Sequence, residues 1–108
     1  MKRILLLTTG GTIASRPTSE GLAPGISGAE LAGWLPGGGT YYQIQVEDIL
    51  HLDSSNIQPE EWQIIARHVY AARGKWDGVV ITHGTDTMAY TASVLSFMLR
   101  NLDLPVVL

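Results

Sequence analysis

ILLLTTGGTIAS, Ile4 to Ser15, and GVVITHGTDTM, Gly78 to Met88, share one plan: a short apolar run, then a glycine followed directly by a threonine. The runs Ile4 to Leu7 and Gly78 to Ile81 have the length and character of parallel strands buried on both faces, which read as continuous apolar stretches. Each polar turn, TTGGTIAS (Thr8 to Ser15) and THGTDTM (Thr82 to Met88), then falls at the carboxyl end of its strand. Open α/β sheets bind ligands at such ends.

The rest of the chain alternates strand and helix around these two turns. Gly10 to Gly28 is rich in Gly, Pro and Ser, and Gly21, Pro24 and Gly25 make it a loop or small hairpin. A short helix is expected over Ala29 to Leu35, stopped by Pro36 and Gly37 to Gly39. Tyr42 to Leu50 sets Ile44, Val46 and Leu50 among Gln45, Glu47 and Asp48, the partial alternation of an exposed or edge strand.

Pro59 opens the next helix, with Glu60 and Glu61 at the positive end of its dipole and Trp62, Ile65, Ala66 and Val69 at helical spacing. Gly74 ends that helix, Asp77-Gly78 turns the chain, and Val79 to Ile81 is the third strand. From Asp86 to about Asn101 a wide stripe of Thr91, Val94, Leu95, Met98, Leu99 and Leu102 predicts another helix, and Pro105 to Leu108 starts a fourth strand. Right-handed crossovers of this length give an α/β fold, an open parallel, flavodoxin-like sheet of order 2-1-3-4 flanked by helices and incomplete at Leu108. With that order the connection reverses beside strand one, so Thr12 and Thr85 face each other across the crevice at the switch point.

Composition narrows the possible ligands. Ten acidic against seven basic residues give a formal charge of −3, and no Lys/Arg cluster offers an electrostatic footprint for nucleic acid. A small polar or zwitterionic molecule fits better. The absence of cysteine excludes a disulfide framework and thiolate metal sites and accords with a cytoplasmic location. Met1-Lys2-Arg3 before Ile4 to Leu7 imitates a signal peptide, but four apolar residues fall short of the roughly 7 to 15 of a signal core. No run approaches the ~20 apolar residues of a membrane span.

Each motif admits a plain reading beside a chemical one. TTGGT is a tight turn, a phosphate cradle or a hydroxyl site; it lacks the Gly-Lys-Ser/Thr of a P-loop and the GxGxxG of a dinucleotide fold. Thr85, Asp86 or Thr87 is expected to cap the following helix, but capping needs one residue and Thr82, Thr85, Asp86 and Thr87 crowd the strand end. Asp53-Ser54-Ser55-Asn56 reads as turn and cap residues or, beside strand one, as ligand contacts. His51, His68 and His83 lack metal-ligand spacing; His68 reads as solvated, and His83 as either structural or catalytic. Trp34, Trp62 and Trp76 read as packing residues.

TTGGTIAS, DSSN and THGTDTMAYTASVLSFML, in that order and at that spacing, resemble the bacterial-type L-asparaginases, most closely the cytoplasmic type I branch. The resemblance implies an amidohydrolase that converts L-asparagine to L-aspartate and ammonia through a threonine acyl-enzyme, with neither metal nor organic cofactor. Thr12 matches the nucleophile. Thr85 and Asp86 match the relay, Asp86 also holding the substrate's α-amino group, and Asp53, Ser54 and Ser55 match the segment that binds the α-amino and α-carboxylate groups. Gly11, Thr12 and Thr85 are candidate oxyanion donors through their backbone N–H groups.

Two departures from the family pattern stand out. The relay's lysine should follow the second motif, whereas the lysines here are Lys2 and Lys75, and Leu22 stands where many relatives carry a tyrosine in the loop after the first motif. Residues 1–108 are accordingly expected to be the N-terminal part of the catalytic domain, inactive alone, with the lysine and a C-terminal domain beyond them. The same resemblance extends to the asparaginase-like subunit of the glutamyl-tRNA(Gln) amidotransferase, and a non-catalytic amino-acid-binding domain is a third reading. The resemblance also implies a homo-oligomer, dimer or tetramer, while the charge and the short apolar runs predict no nucleic-acid or membrane partner.

Overall fold

The computed structural model describes residues 2–10, 15–18, 21–24, 41–52 and 56–108. Its elements run β1 (Lys2–Gly10), β2 (Ser15–Thr18), β3 (Gly21–Pro24), β4 (Tyr42–Leu52), α1 (Pro59–Ala71), β5 (Gly78–Thr82), α2 (Met88–Met98) and β6 (Val106–Val107). The expected helix over Ala29 to Leu35 lies outside the described residues. The small hairpin is present, β2 pairing antiparallel with β3 from Ser15↔Pro24 to Thr18↔Gly21.

The main sheet has the order β4-β1-β5-β6, with every pairing parallel. Counted along the main sheet alone, this is the expected 2-1-3-4. β1 lies between β4 and β5, with Leu5↔Val79 and Leu7↔Ile81 on one side and Leu6↔Val46 on the other. Both faces of β1 are buried, Leu5 to Gly10 without a break, which explains its unbroken apolar run. β4 is the edge strand that its alternating pattern predicts, extended by two residues to Leu52.

Side chains alternate across a strand, so Leu5, Leu7, Val79 and Ile81 share one face. There they join Ile65, Ala66, Val69 and Ala72, Leu95 of α2 and Leu104 in one core. Both described helices therefore pack on the same face of the sheet. α1 starts at Pro59 as expected and exposes little of its apolar stripe, with Ile65 and Val69 fully buried. Gly74 holds the left-handed φ of 74° that turns the chain after α1 toward β5. The β1–β5 ladder extends by one step, Asp77 N–H donating to the Arg3 carbonyl at 2.8 Å and Arg3 N–H to the Asp77 carboxylate at 2.7 Å.

α2 is shorter than its pattern predicts, running Met88–Met98 rather than Asp86 to Asn101. Leu99 has left the helical region with ψ 65°, and Asn101 takes a φ of 56° that ends the turn. Asparagine tolerates that left-handed conformation better than most residues. β6 likewise begins at Val106 rather than Pro105, whose carbonyl accepts a bond from Val79 N–H at 2.9 Å.

Gly10 closes β1 with φ 91° and is buried. A side chain is rarely compatible with that conformation, which costs roughly 1–2 kcal/mol. Gly10→Ala is expected to lower unfolding free energy by about that amount, measured by urea titration. A fully stable variant would show that the turn leaves β1 by another route.

Candidate active site

The carboxyl ends of β4, β1 and β5 lie side by side, with Thr8 and Thr9 at the end of β1 and Thr82 at the end of β5. Thr8 pairs in register with Asp48 on one side and with Thr82 on the other, which puts the three side chains in one row on the sheet face opposite the core. The Thr8 hydroxyl donates to Asp48 Oδ1. Thr82 Oγ1 is buried in the same row without a hydrogen-bond partner among the described residues.

Thr9 points to the other face and donates its hydroxyl to the Thr82 carbonyl at 2.7 Å. Thr8 and Thr9 are both buried, at 3% and 4% exposure. The two signature turns are thus tied together at their roots, one residue before Gly10 and one before His83. On the other flank the register shifts after Thr8↔Asp48, so that Gly10 pairs with Leu52. All three polar segments of the sequence leave the sheet from adjacent strand ends.

The side chains themselves divide into two groups. Gly11, Thr12, Asp53, Ser54 and Ser55 lie outside the described residues. Thr85 and Asp86 are exposed, while His83 and Gly84 just before them are buried. The buried start of the turn anchors an exposed pair of polar groups at the sheet's carboxyl edge, where a ligand can reach them.

Capping does not account for this pair. Thr87 occupies the N-cap of α2, and its carbonyl accepts a bond from Thr91 N–H at 3.1 Å, but its side chain makes no cap hydrogen bond. Its φ of −126° and ψ of 15° depart from the extended backbone that aims an N-cap oxygen at the first amides. The expected side-chain cap is therefore absent.

His83 takes the structural one of its two expected roles. It is 5% exposed, with Nδ1 2.7 Å from the Gly84 carbonyl and Nε2 2.8 Å from Thr91 Oγ1. Trp62 of α1 donates from Nε1 to the same Thr91 oxygen at 2.7 Å. The network joins α1, α2 and the turn after β5, and neither Thr91 nor Trp62 stood out as more than packing in the sequence. Trp76 also packs on the core, with the Arg3 guanidinium 4.6 Å above its ring. His68, expected in solvent, is half-buried, with Nδ1 2.8 Å from the Ile64 carbonyl one turn back.

Among the described residues no three His, Asp or Glu side chains are grouped to hold a metal ion. No helix among them is long and apolar enough to cross a membrane.

Residues 3–108 match the family model described as Asparaginase, N-terminal. The L-asparaginase of Thermococcus kodakarensis is 51% identical across 98% of this chain. Its solved structure superposes with a TM-score of 0.82 over 96% of the chain and 32% of its own. A Campylobacter jejuni structure named as a probable cytoplasmic L-asparaginase is 39% identical, with a TM-score of 0.78 over 88% of this chain and 31% of its own. A glutamyl-tRNA(Gln) amidotransferase subunit of Saccharolobus islandicus is 44% identical over 97% of this chain and 24% of its own length. The chain spans about a third of the length of the L-asparaginase relative, 33% of it.

Proposed function

Because the chain belongs to the asparaginase family, we propose that it supplies the nucleophile half of an L-asparaginase active site within a longer protein. The observation that carries this reading is the convergence of the three motif-bearing strand ends, β4, β1 and β5, at one edge of the sheet. Thr12 attacks the side-chain amide carbon of L-asparagine, ammonia leaves, and water hydrolyses the resulting aspartyl ester. Thr85 and Asp86 relay the proton, and Asp86 with Asp53, Ser54 and Ser55 holds the α-amino and α-carboxylate groups.

A threonine hydroxyl is a weak nucleophile at neutral pH and needs a base to take its proton. The lysine that completes the relay, and the C-terminal domain, come from sequence beyond residues 1–108. Amide N–H groups of Gly11, Thr12 and Thr85 stabilise the oxyanion, a contribution on the order of 10² to 10³ for one well-placed donor. The enzyme works in the cytoplasm, in asparagine catabolism, as a homo-oligomer; the C. jejuni relative's name supports the location.

Ammonia release tests the proposal. The full-length protein given L-asparagine is expected to produce aspartate and ammonia in equal amounts, without added metal. Residues 1–108 alone are expected to give none. Absence of turnover by the full-length protein would overturn the reading.

The amidotransferase relative supports a second reading, in which the same site releases ammonia for a partner protein. Ammonia release by the full-length protein unchanged by glutamyl-tRNA and by any partner protein favours the free enzyme.

A further inference from the structure

Within the proposed active site, and resting on that reading, we infer that His83 is a positioning residue: it sets the direction of the Thr85 N–H through the peptide it shares with Gly84. A carbonyl oxygen only accepts, so the 2.7 Å contact to the Gly84 oxygen places the proton on His83 Nδ1. The indole Nε1 only donates, so Thr91 Oγ1 receives the Trp62 bond and has its own hydrogen to give. In a neutral ring with its proton on Nδ1, Nε2 accepts that hydrogen, 2.8 Å away. Every group in the chain from Trp62 through Thr91 and His83 to Gly84 is then satisfied by one tautomer, neutral with Nδ1–H.

The consequence lies in the next peptide. C=O of Gly84 and N–H of Thr85 belong to one planar trans unit and point in opposite directions. Drawing the carbonyl inward onto a ring only 5% exposed turns the Thr85 N–H outward, toward the side on which Thr85 is exposed. The ring is itself braced from two helices, because Trp62 belongs to α1 and Thr91, fully buried, to α2. A donor aimed at developing charge depends on such fixed orientation, since displacement by about 1 Å can cost on the order of 10²-fold in rate.

Two variants of the full-length protein separate this role from simple packing. In His83→Asn the side-chain amide N–H stands where Nδ1–H stood and retains the Gly84 bond. In His83→Gln the amide reaches the position of Nε2, toward Thr91, and leaves the Gly84 carbonyl without its donor. With L-asparagine, kcat of His83→Gln is expected to fall roughly 10- to 100-fold with KM little changed, and His83→Asn to recover most of that loss. Equal kcat in the two variants, or a loss confined to KM, would overturn the inference.

Nitrogen-15 NMR of the unmodified protein provides an arm independent of folding of the variants and of the reaction. His83 is expected to show a protonated Nδ1 and a bare Nε2, and the opposite tautomer would overturn the assignment even if asparagine is hydrolysed. Failure to release ammonia with the Nδ1–H tautomer present would instead strike the asparaginase reading and its positioning role, leaving the network intact.

Discussion

Thr12→Ala in the full-length protein is expected to reduce ammonia release from L-asparagine by about 10⁴-fold or more while asparagine still binds. In the proposed mechanism, removing the attacking atom removes the covalent route entirely, and what remains is the smaller assistance of binding and of oxyanion donors; a protease nucleophile shows losses on the order of 10⁶ in kcat. Binding is spared because the α-amino and α-carboxylate groups are assigned to Asp53, Ser54, Ser55 and Asp86 rather than to Thr12. Calorimetry with asparagine checks that half of the expectation. A variant that binds normally and retains more than a few per cent of turnover would remove Thr12 from the nucleophile's place.

Leu7→Ala is the change with the largest expected effect on stability. Leu7 is fully buried in the central strand, between Glu47 of β4 and Ile81 of β5 in register, and belongs to the core shared by the sheet and both helices. Truncation leaves a cavity that the flanking strands cannot close. A loss of about 2–5 kcal/mol is expected, read as a lower denaturant midpoint at unchanged slope. Tyr41→Ala, at a side chain 75% exposed, is expected to stay within about 0.5 kcal/mol. Equal losses in the two variants would show that β1 is not the centre of the core. Because β1 and β5 also carry the roots of both signature turns, lost stability at Leu7 should carry activity down with it.

The strand order was legible because the chain states it locally. The run Ile4 to Leu7 is apolar without alternation, as a strand buried on both faces requires, whereas Tyr42 to Leu50 alternates as a half-exposed edge strand does. Crossover handedness then leaves few arrangements. The ends of α2 were less legible because MAYTASVLSFM is apolar nearly all round, so no polar face marks where the helix starts and stops. Its limits are set by backbone at Thr87, Leu99 and Asn101 that residue type alone does not announce.

The supporting polar groups were hidden for a different reason. Thr8 and Asp48 are 40 residues apart and meet only through the β1–β4 register. Thr91 sits in what reads as an apolar stripe, and its hydroxyl gains meaning only once α1 brings Trp62 and the turn brings His83 to it. The motif residues Thr12, Thr85 and Asp86 could be picked out from a family pattern, but the groups that hold the turn come from three elements whose mutual placement is tertiary.

The most direct test of the account is to find the atom that attacks. The full-length protein treated with an electrophilic diazoketone analogue of asparagine, then digested and mapped by mass spectrometry, is expected to carry one label per chain, on Thr12, and to be protected by excess L-asparagine. A protected label on Thr85 or another residue, or full ammonia release from protein already labelled at Thr12, would contradict it.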